Sequence, residues 1–494
     1  MDCPSIRLSH RCRRRLAGLA LAVLIVAPIA CGEHDVSQSG PSPQGGSTPE
    51  EILEKALGDI GRFEPVELDT AAIAAAVQSG QSIRLPFAQQ DGAVVLRDVN
   101  LTLRNLRAPE LDGFVLKDGV KNEGQTVPLP PPATYQGVVA ATDAGHRGAA
   151  VFTITQQVVE GNMLVAPGGW SIIEPIEPML RLRGVDPAQR QTVLRKYNHI
   201  VYNVGYPLAT AAAPPAMAAA RPSAPGDAAA PLVLSIVGDG DQEFFRAYPT
   251  DSVMPFWLKE EGIFNALDWL YNCIEPDANA YNDYTECGNA FDGGSGAFQA
   301  QLRIDRLEVW TAGGPQSPRR AGVMEESARM THQATPVCCG EPHTAGRSNL
   351  VHFFSGKAFP EGAGVASIAG LNLYTDACFA QDAAFCCHHA VSTMTPNPAF
   401  PASLFHQQLL VAHEVGHNNG ADDELTPKPH GWLYGTQFGD TLMYSSLGFT
   451  PRHIFVYSDT DAVNVIGPLL RARLGDTAGT AAPCSAEVIG PNMS

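Results

Sequence analysis

The sequence predicts an α/β domain of the α+β kind, built on a mixed twisted sheet and preceded by a mainly β module. Three features of the chain carry that expectation. Residues 51–207 run as short β-branched segments such as Ser82-Ile83-Arg84-Leu85, Val94-Val95-Leu96, Ala150–Ile154 and Trp170–Ile173, parted by Gly, Pro and Asp. That is the pattern of strands bounded by turns. From residue 231 to residue 494 strand-like runs alternate with helical stretches, which points to a mixed sheet covered by helices. Between the two, residues 208–230 contain AAAPPAMAAARPSAPGDAAA, whose prolines interrupt any helix and mark a linker.

The chain has 494 residues, 45% hydrophobic and 17% charged, which is enough for more than one core and is neither disordered nor fibrous. Its Lys+Arg count of 33 against 51 Asp+Glu gives a formal charge of -18. That balance excludes a nucleic-acid binder working through counterion release. At the N-terminus, Arg11, Arg13, Arg14 and Arg15 precede the apolar run Leu16–Ala30. A basic start, a short apolar stretch and a small residue before a cleavage point make residues 1–30 a signal peptide. The run is too short for a standing transmembrane helix.

Pro28-Ile29-Ala30-Cys31 resembles a bacterial lipobox, with Pro28 where an aliphatic residue is usual. The resemblance makes Cys31 the lipidated first residue of the mature chain. The expected location is then the bacterial cell envelope, reached through an N-terminal lipid anchor only, or the outside after cleavage of the linker. Residues 31–50 are rich in Ser, Gly, Pro and Gln and read as a flexible tether. With Cys31 set aside, the mature cysteines are Cys273, Cys287, Cys338, Cys339, Cys378, Cys386, Cys387 and Cys484. An even set in an exported chain reads as disulfides of unspecified pairing. Cys386-Cys387-His388-His389 is accordingly read as bonded cysteines beside solvent histidines, and Asp239-Gly240-Asp241 as a turn.

Within 231–494 the expected elements follow in order. Leu232–Val237 is a strand, Phe264–Tyr271 is helical, and Phe298–Trp310 is a long strand whose alternation slips near Asp305-Arg306, as at a bulge. A helix near 323–331, a strand at Leu350–Phe354, a glycine-rich turn at Glu361–Gly364, a strand at His389–Thr395 and a helix from about Ala402 come next. A last helix is expected at Thr460–Leu474.

The helix from Ala402 carries His413-Glu414-Val415-Gly416-His417-Asn418-Asn419-Gly420-Ala421-Asp422-Asp423. Residues four apart share a helix face, so His413 and His417 can offer two imidazole nitrogens to one metal, and zinc is implied. Glu414 lies beside that face, within reach of a water on the metal. Gly420 can take the left-handed conformation that stops a helix, turning the chain so that Asp423 returns to the metal. Asp422 is the second candidate for that place and His430 the third. The full pattern arises by chance in on the order of one in ten thousand such chains. His332, His343, His352, His406 and His453 have no companion at ligand spacing and are read as ordinary residues.

Downstream, His430-Gly431-Trp432 precedes Asp440-Thr441-Leu442-Met443-Tyr444. Together with the helix motif these residues resemble the metzincin metallopeptidases, and among them the reprolysin (adamalysin)-like group, with Asp423 in place of the commoner third His. Met443 stands where that resemblance puts the methionine of the Met-turn beneath the metal. Tyr444 follows it at once, whereas the group has its tyrosine one place later, where Ser445 stands. Asp241–Phe245, Asn349–Gly356 and Gly364–Gly370 look like further landmarks of the group. In the β module, Tyr135–Val138, Ala149–Ile154, Val159–Asn162 and Trp170–Pro175 resemble a reprolysin-type prodomain.

The resemblance implies a zinc endopeptidase acting on protein or peptide substrates, with Glu414 as the base that takes a proton from the zinc-bound water and returns it to the leaving amine. It also implies an extended substrate paired with an edge strand, for which His389–Thr395 is the candidate. Two other classes stay open: an exported lipoprotein that uses the scaffold for binding without turnover, and a zinc hydrolase with a non-protein target. No cysteine lies between Gly32 and Asn272, so a thiolate from the N-terminal module cannot hold the enzyme latent. One cut in the linker is expected to free the active site and release it from the membrane together.

Overall fold

In the computed structural model the described residues are 47–109, 111, 113–116, 125–140, 148–165, 169–204, 232–248, 252–272, 300–311, 350–358, 363–366, 389–396, 400–423, 428–430, 437–439, 443, 465, 466 and 470. The signal peptide, Cys31, the linker, the eight other mature cysteines and the helix expected near 323–331 lie outside the described residues. So does the last helix at 460–474, apart from residues 465, 466 and 470.

The chain is first described as α1 (Pro49–Leu57), which takes in the last two residues of the predicted tether. Thr48 and Glu51 cap each other's backbone N–H groups, and Pro49 sits where its missing N–H costs nothing. There follow β1 (Phe63–Val66), α2 (Thr70–Gln78), β2 (Ile83–Ala88), β3 (Val94–Leu103), β4 (Gly113–Leu116), β5 (Gln125–Val127), β6 (Thr134–Val139), β7 (Gly148–Ile154), β8 (Val159–Val165), β9 (Gly169–Pro175), α3 (Ile176–Leu182), α4 (Pro187–Leu194) and β10 (His199–Val204).

Eight of these strands form one antiparallel sheet in the order β1-β10-β9-β8-β7-β6-β3-β2. It curls nearly into a barrel, so that the Ala88 N–H of β2 donates to Ser171 Oγ of β9 and the Ala88 carbonyl accepts from Asn203 Nδ2 of β10. Strands β7 and β8 are buried along their whole length, and alternation explains how. Ala150, Phe152, Met163, Ile173 and Val201 fill the interior of the curl. Their neighbours Val151, Leu164, Trp170, Ile172 and Tyr202 face outward into a second, larger core.

That larger core is shared with the rest of the protein: β11 (Leu232–Gly240), α5 (Gln242–Phe245), α6 (Met254–Asn272), β12 (Ala300–Trp310), β13 (Leu350–Ser355), β14 (Gly364–Ala366), β15 (His389–Thr393), α7 (Leu404–Asn418), β16 (Lys428–His430) and β17 (Gln437–Gly439). The second sheet runs β14-β15-β13-β11-β12-β4-β5. Strands β4, β12, β11, β13 and β15 are parallel along it, and β14 and β5 are antiparallel to their neighbours at its two ends. Ile236 pairs with Ile304 and Val237 with Arg306, leaving Asp305 as the extra residue of the predicted bulge. Asp239 and Gly240 are the last two residues of β11, paired on both sides, and not the turn expected from the sequence, because the parallel ladder with β12 and β13 runs through them. Asp241 caps α5 through the Phe244 N–H while accepting from Ser355 Oγ and the Gly356 N–H.

Two expectations change here. Strands β4 and β5 come from residues 51–207 but extend the sheet of the second part, with Gly113–Leu116 pairing along Leu307–Trp310. The linker therefore divides the sequence without dividing the sheets. A strand of four residues reads as apolar whichever sheet it joins, so its partner was not legible. Secondly, β15 is paired on both sides, with β13 and β14, so among the described residues the outer strand at that end is β14 and not His389–Thr395.

Helix α6 lies between the two sheets. Asn265 Nδ2 donates to the carbonyls of Tyr135 and Phe152 on one side, and Asp268 Oδ1 accepts from the Leu302 N–H on the other. A helix enclosed all round is normally apolar all round, yet this one buries Lys259, Glu260, Glu261 and Asp268. Three of the four are matched from the N-terminal module. Arg104 holds Asp268 through Nε at 2.8 Å and Nη2 at 3.0 Å, and Arg107 forks onto both oxygens of Glu261. Lys259 Nζ lies 3.0 Å from Glu160 and 3.6 Å from Glu174. Burial, with Asp239, Glu261 and Glu308 nearby, raises the Glu260 carboxyl well above its ordinary range and so favours its neutral form.

His352 of β13 is fully enclosed, with Nε2 2.9 Å from Ser392 Oγ, and burial lowers its pKa from 6.5 to about 3. The unfolded chain therefore takes up a proton below pH 6.5 that the folded chain refuses. Stability from this residue is complete above the unfolded value and is lost as pH falls toward the folded one. Wild type should lose about 2 kcal/mol between about pH 7 and about pH 5 that a His352→Gln variant does not. Denaturant titrations of both proteins at the two pH values measure it, and equal losses would remove the assignment.

Candidate metal centre

Helix α7 is placed by contacts at its start. The chain enters through Ala402, at φ 51, and Ser403, the N-cap. Arg183 Nη2 donates to the Pro401 carbonyl at 2.6 Å, and the Leu404 N–H donates to Glu174 Oε2 at 2.9 Å. Leu404 opens the helix, so its N–H has no partner within it, and a carboxylate there also meets the positive end of the helix dipole. One turn on, Asn162 of β8 bonds Gln408. All these partners belong to the β module. Fourteen of the fifteen helical residues are buried, so the helix has little freedom to shift.

At its other end α7 stops where the sequence predicts. Gly420 has φ 92, the Ala421 N–H returns to the Gly416 carbonyl at 3.0 Å, and the Gly420 N–H returns to the His417 carbonyl at 2.9 Å. This is the paired closure that a left-handed glycine permits. The turn also turns Ala421 back, so that its carbonyl lies 2.9 Å from His417 Nδ1. A carbonyl can only accept, so Nδ1 carries the proton and Nε2 is left with its lone pair. Nothing in the sequence pattern singles out that backbone oxygen.

His417 Nε2 and His413 Nε2 converge to 3.1 Å. Asp423 Oδ1 stands 3.5 Å from the first histidine's Nε2, that of His413, and 3.7 Å from that of His417. A tetrahedral site with metal–ligand bonds of about 2.0–2.1 Å separates its ligand atoms by about 3.3 Å, which is the spacing found. Among the described residues this is the one group of His, Cys, Asp and Glu side chains with ligand atoms close enough to hold a metal ion. Both histidines are buried, whereas the Asp423 side chain is half exposed, at 49%. Asp422 accepts from the Asp423 N–H at 2.9 Å; it steadies the turn and is not in the cluster. Burial raises the Asp423 carboxyl, His417 lowers it and Asp422 raises it, for a net upward shift.

Glu414 is buried beside the pair, and its Oε2 has no hydrogen-bond partner among the described residues. Burial and then Asp423 raise its carboxyl well above the ordinary range. Its other oxygen lies against the first residue of β14, where a β-carbon on Gly364 would fall 2.2 Å from Oε1. The outer strand thus passes directly over this carboxylate, and only glycine leaves room for both. Met443 is buried in the same core as Val415 and Ala421. The side chain of His430, Tyr444 and Ser445 lie outside the described residues.

The left-handed turn is the part of this geometry most open to direct measurement. Gly420→Ala should cost about 1–2 kcal/mol of stability, because a β-carbon is strained in that region, and Gly420→Asn should cost less. Chemical denaturation of the two variants ranks them. A harmless alanine would mean that the turn does not fix the chain.

Residues 234–451 match the family model Reprolysin_5, described as Metallo-peptidase family M12. No curated protein matches the chain. The matched span runs from β11 through α7 to beyond Met443, and so takes in the whole cluster. M12 is a peptidase family and typically zinc-dependent. Residues 234–451 are a reprolysin-like domain of metallo-peptidase family M12.

Proposed function

We propose that the protein is a zinc-dependent endopeptidase that hydrolyses peptide bonds of proteins. The observation that carries this reading is the convergence of His413 Nε2, His417 Nε2 and Asp423 Oδ1 with Glu414 at their side, inside a span that matches a metallopeptidase family. The donor set of two imidazoles and one carboxylate suits zinc, and the Asp423 side chain is half exposed. Bound zinc supplies a Lewis acid that acidifies water and polarises a peptide carbonyl.

The remaining chemistry belongs to the chain. His417 is held in one tautomer by Ala421, and His413 is held by the same buried helix. Glu414 is the base that takes the proton of the attacking water and gives it to the leaving amine. Its burial favours the protonated form between those two transfers. Strand β14 is the outer strand beside it, and is therefore the edge offered to an extended substrate. Met443 is assigned as the methionine of the Met-turn. Cys31 is assigned as the lipid-bearing first residue of a cell-envelope protein, for which mass spectrometry of the mature N-terminus is the test; an unmodified start elsewhere refutes it.

Hydrolysis of a mixed protein substrate, with zinc analysis of each preparation, tests the peptidase reading. Glu414→Gln should keep zinc and lose hydrolysis by several orders of magnitude, since proton transfer goes while the ligands stay. Asp423→Ala should lose zinc, and Asp422→Ala should keep both zinc and activity. A zinc-loaded wild type that cuts no protein, or an active Glu414→Gln, would overturn the reading.

A further inference from the structure

We infer that the N-terminal β module is a permanent half of this peptidase, and that the chain segments on either side of the linker stay bound to each other once the linker is cut. Four independent contacts lead there. Strand β4 continues the catalytic sheet, pairing Gly113, Phe114, Val115 and Leu116 with Leu307, Glu308, Val309 and Trp310. The charges of α6 at Lys259, Glu261 and Asp268, all buried, find their counter-charges at Glu160, Glu174, Arg107 and Arg104 of the module. Trp170 of β9 packs edge-on against Trp269 of α6 at 5.5 Å and against Phe405 of α7 at 6.2 Å. The start of α7 is held by Arg183, Glu174 and Asn162.

Separation would be costly on both surfaces. The module would expose the outward row Val151, Leu164, Trp170, Ile172 and Tyr202, all part of the shared core, and contiguous apolar surface of that kind marks an interaction face. The catalytic half would lose the partners of one lysine and two carboxylates on a helix face that the module now encloses. The surface that fits the catalytic half is therefore residues 47–204 of its own chain. A cut in the linker neither uncovers the site nor sheds it, in contrast to the expectation drawn from the sequence. Any lipid at Cys31 continues to hold the catalytic half through these contacts.

The test does not depend on peptidase activity, so its failure is distinguishable from a failure of the proposed function. A recognition sequence for a site-specific protease is inserted between Ala218 and Ala219 of the full chain, and the purified protein is cut to completion. The two fragments should elute as one species at the position of the uncut protein, with an unchanged zinc content, and should part only in denaturant. Release of a folded, zinc-containing fragment beginning at Ala219 under native conditions would overturn the inference.

Discussion

Most of this architecture follows from one constraint, a charged helix enclosed on every side. Helix α6 lies between the second sheet and the outer face of the near-barrel, and it brings Lys259, Glu261 and Asp268 into a space from which water is excluded. Each of those charges needs a partner at short range, and each partner is rooted in a strand of the module or beside one. The pairing matters more for specificity than for net stability, since an apolar helix of the same shape would pack as well or better. It fixes the rotation and the height of α6, and through α6 the distance between the two sheets.

Helix α7 inherits that placement. Its first N–H is bonded to Glu174, the same carboxylate that lies beside Lys259. Its far end is set by local chemistry, through Gly420 and the carbonyl of Ala421. The two ends therefore answer to different controls: position comes from tertiary contacts, and ligand direction comes from a turn of a few residues.

That division also sets what could be read from the sequence. His413, Glu414, His417, Gly420 and Asp423 were legible because each depends on spacing within one helix and one turn, and the bulge at Asp305 because it shows as a slip in alternation. The strands β6 to β9 were legible from β-branched runs between turn residues. Arg104, Arg107, Glu160 and Glu174 were not, because a charged residue on a half-buried strand looks the same whether it meets water or a buried partner. Gly364 was read as the end of a glycine-rich turn, whereas it opens β14 against Glu414; that contact was not legible, because the two lie fifty residues apart in sequence and the glycine contributes by the absence of a side chain. The outer position of β14 and the migration of β4 and β5 are matters of sheet order, which short strands do not encode.

The pairing of β4 with β12 has a bearing on how the chain is made. Strand β4 is synthesised early, and β12 only after the rest of the β module and the linker have followed it. The second sheet is therefore left without one flank until a contact of very long sequence separation is closed, and such contacts slow folding because the loop entropy is lost before the contact is gained. Until then β4 and β5 are an unpartnered ribbon with open edges, the kind of surface that pairs with the wrong chain.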